Sequence, residues 1–242
     1  MDPTPLYDAP DLYDLLFTDQ GRSVTWYRAL AHEAGGKVLD VACGTGRLTL
    51  ALARDGCKVH AVDLSERMLE HLKARLDPDL SVTVTRADFR ALSAADHDIA
   101  ILPFNALHHC TNEAEVAATF AGLARSVRSG GVVAVDAYLH DPVLTARGPG
   151  RHEVHTREID GQVVTCWEES AWSPPEHHVT YGFAWPDGTE KTVEIVFHMY
   201  TLEVLRSAVK SAGLRIVHEA SAFGDTPLDD TSTKWVLIAE KP

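Results

Sequence analysis

Two glycines and two aspartates stand where three successive predicted strands end, and together they could hold a nucleoside. Gly44 and Gly46 follow the first strand in VLDVACGTG, Asp63 ends the second in KVHAVDL, and Asp88 follows the third in SVTVTRADF. A carboxylate at the position of Asp63 can accept both hydroxyls of a ribose, and Asp88 could accept from an exocyclic amine such as that of adenine. Because ligands of open α/β sheets bind at the carboxyl edge, this shared position favours one ligand site.

The bend after the first strand has the composition of a loop that holds a polar ligand. Gly44 and Gly46 permit torsions and a close backbone approach that a side chain would block. The free N–H groups of the helix that follows can hold an anionic or polar group. A dinucleotide fingerprint would need a third glycine where Thr49 stands. The loop therefore disfavours a nicotinamide-dependent oxidoreductase and favours a ligand with a charged amino-acid tail.

Each of these features also has a purely structural explanation. The glycines could form only a tight turn, Asp63 could be a residue leading into a helix, and Asp88 could cap its own backbone, as loop aspartates often do. Their coincidence at one edge of the sheet favours the ligand interpretation over three separate structural ones.

The elements that position these residues alternate between strands and helices, which predicts parallel pairing with crossover connections. Ser65 is the expected N-cap of the helix after the second strand. The predicted helices are 12–17, 24–34, 47–56, 65–76 and 113–127, and the predicted strands are 37–42, 58–64, 81–87, 98–104 and 131–139.

The pattern changes after residue 140. Four segments alternate apolar and polar residues without helices between them, and the turns DG, SPPE and PDGT separate them, so they should form antiparallel hairpins. A helix at 201–213 and strands at 214–221 and 234–241 close the chain. The expected domains are a core of residues 1–145 and 200–242, which begins with a helical lid, and an antiparallel insert of residues 146–199.

The overall composition limits the classes of molecule that the chain is expected to bind. The chain has 242 residues and a formal net charge of −13, so a nucleic acid would be repelled on average. We find no secretory signal and no apolar run of membrane-spanning length. The four cysteines form no CxxC pair, which is typical of a reduced, cytoplasmic protein. A small-molecule ligand is therefore expected, with no nucleic acid and no membrane.

The same segments resemble the class I S-adenosylmethionine-dependent methyltransferases. The likeness lies in VLDVACGTG, VDLSERML, ADF, ILPFNALHH and LARSVRSGGVVAVDAY, and it spans most of the chain. One departure is Ala42, where the family's loop often has glycine. The resemblance implies a Rossmann-like, seven-stranded, mostly parallel sheet with N-terminal helices, the last two strands forming an antiparallel hairpin at one edge and a β insert following the fifth strand.

The resemblance also implies S-adenosylmethionine as the cofactor and gives each site residue a role. Asp40 and the backbone from Ala42 through Gly44 to Gly46 would hold the methionine part. Asp63 would hold the ribose, with Leu64 and Met68 beside the adenosine. By the same correspondence, adenine would lie between Asp88 and Phe89, and the sulfonium would lie near Pro103 and Phe104.

The methyl acceptor is expected to be a small molecule that reacts at nitrogen or oxygen. The chain resembles bacterial tailoring enzymes that include amino-sugar N,N-dimethyltransferases, through DLYD before the core, FNALHH and the insert. This likeness slightly favours nitrogen and implies that the insert covers the acceptor. It also implies that Tyr13 and His109 face the reacting centre, with His108 as a rival.

Alternatives remain for these residues. Tyr13 could pack in the core and His109 could begin a helix, but the near-neutral titration of a histidine suits a base or an amine-positioning group. Several histidines, among them His140, could converge on a divalent ion, yet no tight ligand motif is present and no metal is expected. A non-catalytic cofactor-binding or regulatory protein is a second candidate function. Aromatic residues of the insert could also form a homodimer contact.

Overall fold

The computed structural model describes residues 5–17, 21–93, 95–139, 150–159 and 161–242. No helix in these ranges is long and apolar enough to cross a membrane. The helices are α1 (Pro10–Leu16), α2 (Gly21–Ala34), α3 (Arg47–Arg54), α4 (Glu66–Ala74), α5 (Glu113–Ser126) and α6 (Leu202–Ser211). The strands are β1 (Lys37–Val41), β2 (Lys58–Asp63), β3 (Val82–Arg86), β4 (His97–Leu102), β5 (Val127–Tyr138), β6 (His152–Ile159), β7 (Gln162–Ser173), β8 (Glu176–Ala184), β9 (Glu190–His198), β10 (Arg215–Ala220) and β11 (Lys234–Glu240).

The larger sheet has seven strands in the order β10-β11-β5-β4-β1-β2-β3. The neighbours among β1 to β5 pair in parallel, whereas β11 runs antiparallel to both β5 and β10. The predicted α/β fold with a mostly parallel sheet and an antiparallel edge hairpin is therefore confirmed. Ser65 caps α4 as expected, since its side chain accepts from the N–H of Met68.

Two apolar layers cover the faces of this sheet and leave its carboxyl edge free for a site. Leu48 of α3 and Ile99 of β4 belong to the cluster on one face. Phe120 and Leu123 of α5 belong to the cluster on the other, together with Trp235. Such burial on both faces is what a parallel sheet requires.

The fifth strand begins earlier than the pattern predicts. The helix α5 passes directly into β5 at Val127, and the pairing with β4 shifts register before Val132. Gly130 takes a left-handed φ of +73° inside this irregular stretch. The glycine pair of SGG, which looks like a turn in the sequence, is thus a bulge within the strand.

The second sheet consists of β6, β7, β8 and β9 in that order, with antiparallel neighbours. Its inner face packs against the N-terminal segment, because Leu6 and Leu16 share an apolar cluster with Val164 of β7 and Phe183 of β8. A short 3-10 helix (Pro5–Asp8) and α1 therefore lie between this sheet and the carboxyl edge of the larger one.

We predict that Gly46→Ala destabilises the fold more than a left-handed φ alone would. Gly46 has φ +89°, and a Cβ built there would lie 2.2 Å from Cδ1 of the buried Leu72. We expect a loss of roughly 2–4 kcal/mol in the free energy of unfolding, from backbone strain together with overpacking.

The matched control is Gly188→Ala, since Gly188 has φ +87° but nothing within 4 Å of its Cβ position. It should cost only about 1 kcal/mol. Urea unfolding followed by circular dichroism measures both, and equal costs would contradict the steric explanation.

Candidate functional site

A cavity opens at the carboxyl edge of the larger sheet, between that edge, the N-terminal segment and the inner face of the second sheet. We call it the main cavity. It is lined by Tyr7, Tyr13, Phe17, Ala42, Gly44, Asp63, Leu64, Ser65, Phe89, Arg90, Pro103, Phe104, Asn105, Ala106, His109, Tyr138, Tyr181, Ile195 and Phe197.

The structure brings most of the predicted site residues to this cavity. Those that line it are Tyr13, Ala42, Gly44, Asp63, Leu64, Phe89, Pro103, Phe104 and His109. The predicted residues that do not line it are Asp40, Gly46, Met68, Asp88 and His108.

Asp63 stands at the end of β2 with both carboxylate oxygens oriented by backbone donors. Its Oδ2 accepts from the N–H of Gly44 at 2.8 Å, and its Oδ1 accepts from the N–H of Ser65 at 2.9 Å. Each oxygen keeps lone pairs for a further donor. Burial raises the pKa of Asp63, and these N–H donors oppose that rise. The carboxylate is therefore held in one orientation by the backbone.

Asp40 of β1 lies in the core and is hydrogen-bonded to α3. It is fully buried, and its Oδ2 accepts from the Thr49 hydroxyl at 2.6 Å, while its Oδ1 has no hydrogen-bond partner among the described residues. Burial raises the pKa of Asp40 to about 6. Gly46 is the N-cap residue of α3 and lies against Leu72, and Met68 is fully buried. Both residues therefore lie behind the wall of the main cavity.

Asp88 is engaged by its own segment. Its Oδ1 accepts from the N–H and the Nε of Arg90, and its Oδ2 accepts from Nη2 at 2.5 Å. The Arg90 side-chain hydrogen bonds hold the pKa of Asp88 below its usual range. Asp88 thus makes the hydrogen bond that is expected if it caps its own backbone. Arg90 rather than Asp88 borders the main cavity. An adenine role for Asp88 stays a prediction.

A strained turn after β4 aims Phe104 at the cavity. Phe104 and Asn105 have φ of +57° and +61°, which non-glycine residues rarely adopt. Asp136 of β5 holds this turn, since its Oδ1 accepts from the N–H of Phe104 at 2.9 Å and from the Tyr27 hydroxyl at 2.7 Å. The Oδ1 of Asn105 is buried without a hydrogen-bond partner among the described residues. The sequence interpretation missed Asp136 as a positioning residue.

His109 is paired with a tyrosine that the sequence interpretation also missed. Tyr7 Oη and His109 Nε2 are 2.8 Å apart, a hydrogen bond whose direction depends on the histidine tautomer. Burial lowers the pKa of His109 to about 4, so the near-neutral titration expected from the sequence is not found. The available signal was the repetition of LYD at 6–8 and 12–14, which presents Tyr7 beside Tyr13.

His108 lies behind the cavity wall, so the structure does not support it as a rival of His109. It is fully buried, with Nδ1 2.9 Å from the carbonyl of His198 and Nε2 3.1 Å from the carbonyl of Tyr138. Burial lowers its pKa to about 4, and the two carbonyls partly oppose this. Its geometry is that of a structural link between β5 and the end of β9.

Tyr13 and Tyr181 present hydroxyls to the cavity. Neither hydroxyl has a hydrogen-bond partner in the parts of the chain that the structure describes. Burial raises the pKa of both, so both stay protonated at neutral pH. The Phe17 ring stacks edge-on with Tyr13, Phe104 and Tyr181, at centroid distances of 4.9, 5.0 and 5.6 Å. One aromatic wall therefore joins three elements.

Hydrogen bonds fasten the N-terminal segment over the site. The Ser65 hydroxyl donates to the carbonyl of Tyr7 at 2.7 Å, which links the segment to the loop that carries Asp63. Asp14 of α1 accepts from the Thr45 hydroxyl at 2.6 Å and lies 3.1 Å from Arg75 of α4. These contacts explain why Tyr7 and Tyr13 reach the cavity.

A second cavity adjoins the first on the inner face of the second sheet. We call it the side cavity. It is lined by Tyr138, Glu153, Val154, Glu168, Ser170, His177, Val179, Tyr181, Phe197 and Met199.

Histidines do not converge into a metal site in the described residues, where no group of three or more His, Cys, Asp or Glu side chains could hold an ion. His140, one of the histidines weighed as a ligand, lies outside these residues. The four cysteines are free and buried.

Comparison with known proteins places this site in a family context. A family model described as a methyltransferase domain matches residues 38–131. A cypemycin N-terminal methyltransferase from Streptomyces is 33% identical over 240 residues, which cover 97% of this chain and 95% of that protein. The glycine loop, Asp63 and His109 all lie within the matched residues of the family model.

Solved structures share the fold over almost the whole chain. An S-adenosylmethionine-dependent methyltransferase from Clostridium acetobutylicum superposes with a TM-score of 0.81 at 18% identity, covering 95% of this chain and 96% of that one. An amino pentose methyltransferase from Micromonospora echinaspora, involved in calicheamicin biosynthesis, gives 0.76 at 18% identity, covering 100% and 99%. At this identity the likeness shows the fold alone.

The buried histidines predict a pH dependence of stability. Since the pKa of His109 falls from about 6.5 in an unfolded chain to about 4 in the fold, the unfolded state binds the proton better between these values. The contribution of His109 to the free energy of unfolding is therefore fully present above about pH 6.5. It is lost as the pH falls towards 4, at up to about 1.4 kcal/mol per pH unit.

The raised pKa of Asp40 acts in the opposite direction in the same window, so the test compares variants. His109→Gln should flatten the fall in unfolding free energy between about pH 6.5 and pH 4.5. His178→Gln, a matched change at an exposed residue, should leave the slope as it is. Urea unfolding at several pH values measures this, and equal slopes for His109→Gln and the parent protein would refute it.

Proposed function

The chain belongs to the S-adenosylmethionine-dependent methyltransferases, and from that premise we propose that it moves the methyl group to nitrogen or oxygen of a small molecule. The transfer is an in-line displacement at carbon. We assign the reaction to the main cavity because Asp63 lines it. The enzyme mainly has to align the two reactants and exclude water.

The residues present fit the cofactor. Asp63 offers two acceptor oxygens for the ribose hydroxyls, in the orientation set by the N–H groups of Gly44 and Ser65. Leu64 and Phe89 border the same space with apolar surface for an adenine ring. The buried, unpartnered Oδ1 of Asn105 can accept a further donor on this side of the cavity.

The glycine loop fits the methionine end. Gly44, with φ +55°, leaves the space before the Tyr13 hydroxyl open, because a Cβ there would lie 4.0 Å from that oxygen. Two positive features suit a carboxylate, namely the start of α3 and the guanidinium of Arg47. The charge of Arg47 reaches this space, because it lowers the pKa of Tyr13 against the effect of burial. When bound, the cofactor supplies an activated methyl group on a cationic sulfur.

The Tyr7–His109 pair supports an acceptor with an N–H or O–H group. In either histidine tautomer, the Tyr7 oxygen keeps a lone pair with which to accept such a hydrogen. His109 is neutral at physiological pH and adds no positive charge beside a sulfonium. Tyr7 and His109 would then orient the acceptor, and Tyr13 would contact the cofactor side.

The proposal also covers the division of the chain into domains, its assembly and its cellular setting. We divide the chain into a cofactor-binding core of residues 1–145 and 200–242 and an insert of residues 146–199, and we propose that the insert covers the acceptor. Support comes from Tyr181, Ile195 and Phe197 of the second sheet, which line the main cavity. A homodimer through the insert stays a prediction. The free cysteines fit a reducing cytoplasm.

The direct test is methyl transfer. The purified protein is incubated with S-adenosylmethionine carrying a labelled methyl group and with a mixed extract of bacterial metabolites, and labelled products are separated by size. Label in a small molecule supports the proposal. Calorimetric binding of the cofactor without label in any product would favour the regulatory alternative, and no binding at all would overturn both.

We predict that Asp63→Asn weakens S-adenosylhomocysteine binding at least tenfold, or about 1.4 kcal/mol. Asparagine has one acceptor oxygen, and its NH2 group would face the N–H of Gly44 or of Ser65. Isothermal calorimetry gives the dissociation constants.

Asp98→Asn is the matched control. Asp98 also accepts a backbone N–H, from Lys37 at 3.0 Å, but it lies in β4 at the opposite edge of the sheet. Its substitution should leave cofactor affinity within about twofold. An equal loss in both variants would mean that the effect is not local to the main cavity.

We predict that Tyr7→Phe lowers kcat by roughly tenfold or more while cofactor affinity is kept, because the hydroxyl that orients the acceptor is lost. The control is Tyr200→Phe, which removes a hydroxyl bound to the carbonyl of Cys110 at 2.7 Å, away from the cavity. Steady-state kinetics with the acceptor found above measures both. An unchanged kcat for Tyr7→Phe would remove Tyr7 from the mechanism.

A further inference from the structure

The tyrosine hydroxyls differ in whether another group of the protein binds them. Tyr27 donates to a buried carboxylate and Tyr200 donates to a backbone carbonyl, each at 2.7 Å. A tyrosine hydroxyl that is shielded from solvent normally has such a partner. Tyr13 and Tyr181 line the main cavity, and their hydroxyls have no partner among the described residues. These two hydroxyls are therefore available to a ligand of that cavity.

The two available hydroxyls face different parts of the main cavity. Tyr13 lies beside the glycine loop, since a Cβ at Gly44 would lie 4.0 Å from its hydroxyl. Burial raises the pKa of Tyr13, and the negative charge of Asp63 adds to that rise. Tyr181 belongs to β8 of the second sheet, and after burial the largest charge effect on its pKa comes from Glu168 of the neighbouring strand. Tyr13 is thus on the cofactor side, and Tyr181 lies across the cavity from it.

Packing alone does not explain why position 181 carries a hydroxyl. The Tyr181 ring meets the Phe17 ring edge-on at a centroid distance of 5.6 Å, and it lies opposite Val193 of β9. Phe183, two positions further along the same face of β8, is fully buried in the apolar cluster. A phenylalanine would make the same ring contacts at position 181. The hydroxyl therefore points to a ligand rather than to the core.

Tyr181 lies within reach of the pair that is proposed to orient the acceptor. Ring contacts with centroid distances of 5.9, 4.9 and 5.6 Å connect Tyr7 to Tyr181 through two intervening rings. Burial raises the pKa of Tyr7, and the charge of Tyr181 contributes to that rise, so the two hydroxyls act on one space. Tyr181 also borders the side cavity, which leaves room beyond it. A molecule that reacts beside Tyr7 can therefore place another of its atoms at Tyr181.

We propose that the Tyr181 hydroxyl is a specificity-determining group that hydrogen-bonds the methyl acceptor at a second, uncharged polar atom. This atom is separate from the nitrogen or oxygen that takes the methyl group. The proposal rests on the proposed function, because it takes the main cavity as the place of reaction. It adds a requirement on the substrate, which must carry a hydroxyl, carbonyl or ether oxygen besides its nucleophile.

The chemistry around Tyr181 favours an uncharged partner. Burial keeps the pKa of Tyr181 well above its ordinary value, so the hydroxyl stays protonated and can donate one hydrogen bond and accept another. Ile195 and Phe197 add apolar surface on the same side of the cavity, where an ion would lose its hydration. A hydroxyl, carbonyl or ether oxygen matches the donor of Tyr181 without introducing a charge.

The kinetic effect of Tyr181→Phe tests the proposal. Methyl transfer from labelled S-adenosylmethionine is measured with the extract of bacterial metabolites at a series of dilutions, and the main labelled product is followed. The amount of extract that gives half the maximal rate serves as a relative KM for the acceptor. Tyr181→Phe should raise this amount about fivefold, because one hydrogen bond between neutral groups is lost. The maximal rate should stay within about twofold, since the bond is kept throughout the reaction.

An unchanged half-saturating amount of extract in Tyr181→Phe would overturn the proposal. Tyr200→Phe is the control and should change neither value by more than about twofold. Tyr13→Phe should raise the half-saturating concentration of S-adenosylmethionine rather than the amount of extract. If Tyr13→Phe raised the amount of extract and Tyr181→Phe did not, the second polar atom would be assigned to the wrong tyrosine.

Stability distinguishes a binding role of the Tyr181 hydroxyl from a structural one. Tyr181→Phe should not lower the midpoint of urea unfolding, because its hydroxyl has no partner to lose, whereas Tyr200→Phe should lower it. An equal fall in both variants would show a structural hydroxyl and would overturn the proposal. Mass spectrometry of the labelled product checks the substrate requirement. A product whose methylated atom is its only polar atom would contradict it.

The same measurements separate this proposal from the proposed function. Absence of a labelled small molecule with the parent protein would refute the proposed function. Labelled product with an unchanged half-saturating amount of extract in Tyr181→Phe would refute only the role of Tyr181.

Discussion

Carboxylates near strand ends hold the loops of the neighbouring strands, and the shape of the site depends on them. Asp63 at the end of β2 accepts the N–H of Gly44 from the loop after β1, and Asp136 of β5 accepts the N–H of Phe104 from the turn after β4. Ala42 and Phe104 adopt left-handed torsions in these loops, which cost a non-glycine residue roughly 1–2 kcal/mol each. Hydrogen bonds to a charged acceptor contribute about 1.5–3 kcal/mol and can offset such strain. The walls of the main cavity are therefore set before any ligand binds.

The sequence predicted the sheet and the strand-end residues because both depend on short-range patterns. Alternating strands and helices leave few topologies, and parallel strands bring their carboxyl ends to one edge. Asp63 and Gly44 were predicted to meet at this edge for that reason, and the structure joins them by a hydrogen bond. The early start of β5 was missed, since the SGG sequence gives no local sign that its torsions belong to a bulge rather than to a turn.

The sequence could not predict which side chains pair over long distances. Asp136 sits in the apolar run VVAVDAY, and only the fold shows that it meets a turn thirty-two positions earlier in the chain. Tyr7 and His109 are 102 positions apart. His108 and His109 follow one another in a short 3-10 helix, so their opposite placement depends on how that turn is seated between β5 and β9. Likewise, alternation shows that Glu168 and Val164 share a face, but not which face is turned inward.

The lowered pKa of His109 suits the reaction. In a methyl transfer to a neutral nucleophile, the positive charge passes from sulfur to the acceptor, and a protonated imidazole beside it would repel both the cofactor and the product. Burial prevents this by keeping the pKa of His109 near 4, so that His109 and the tyrosine and phenylalanine rings around it form a neutral wall.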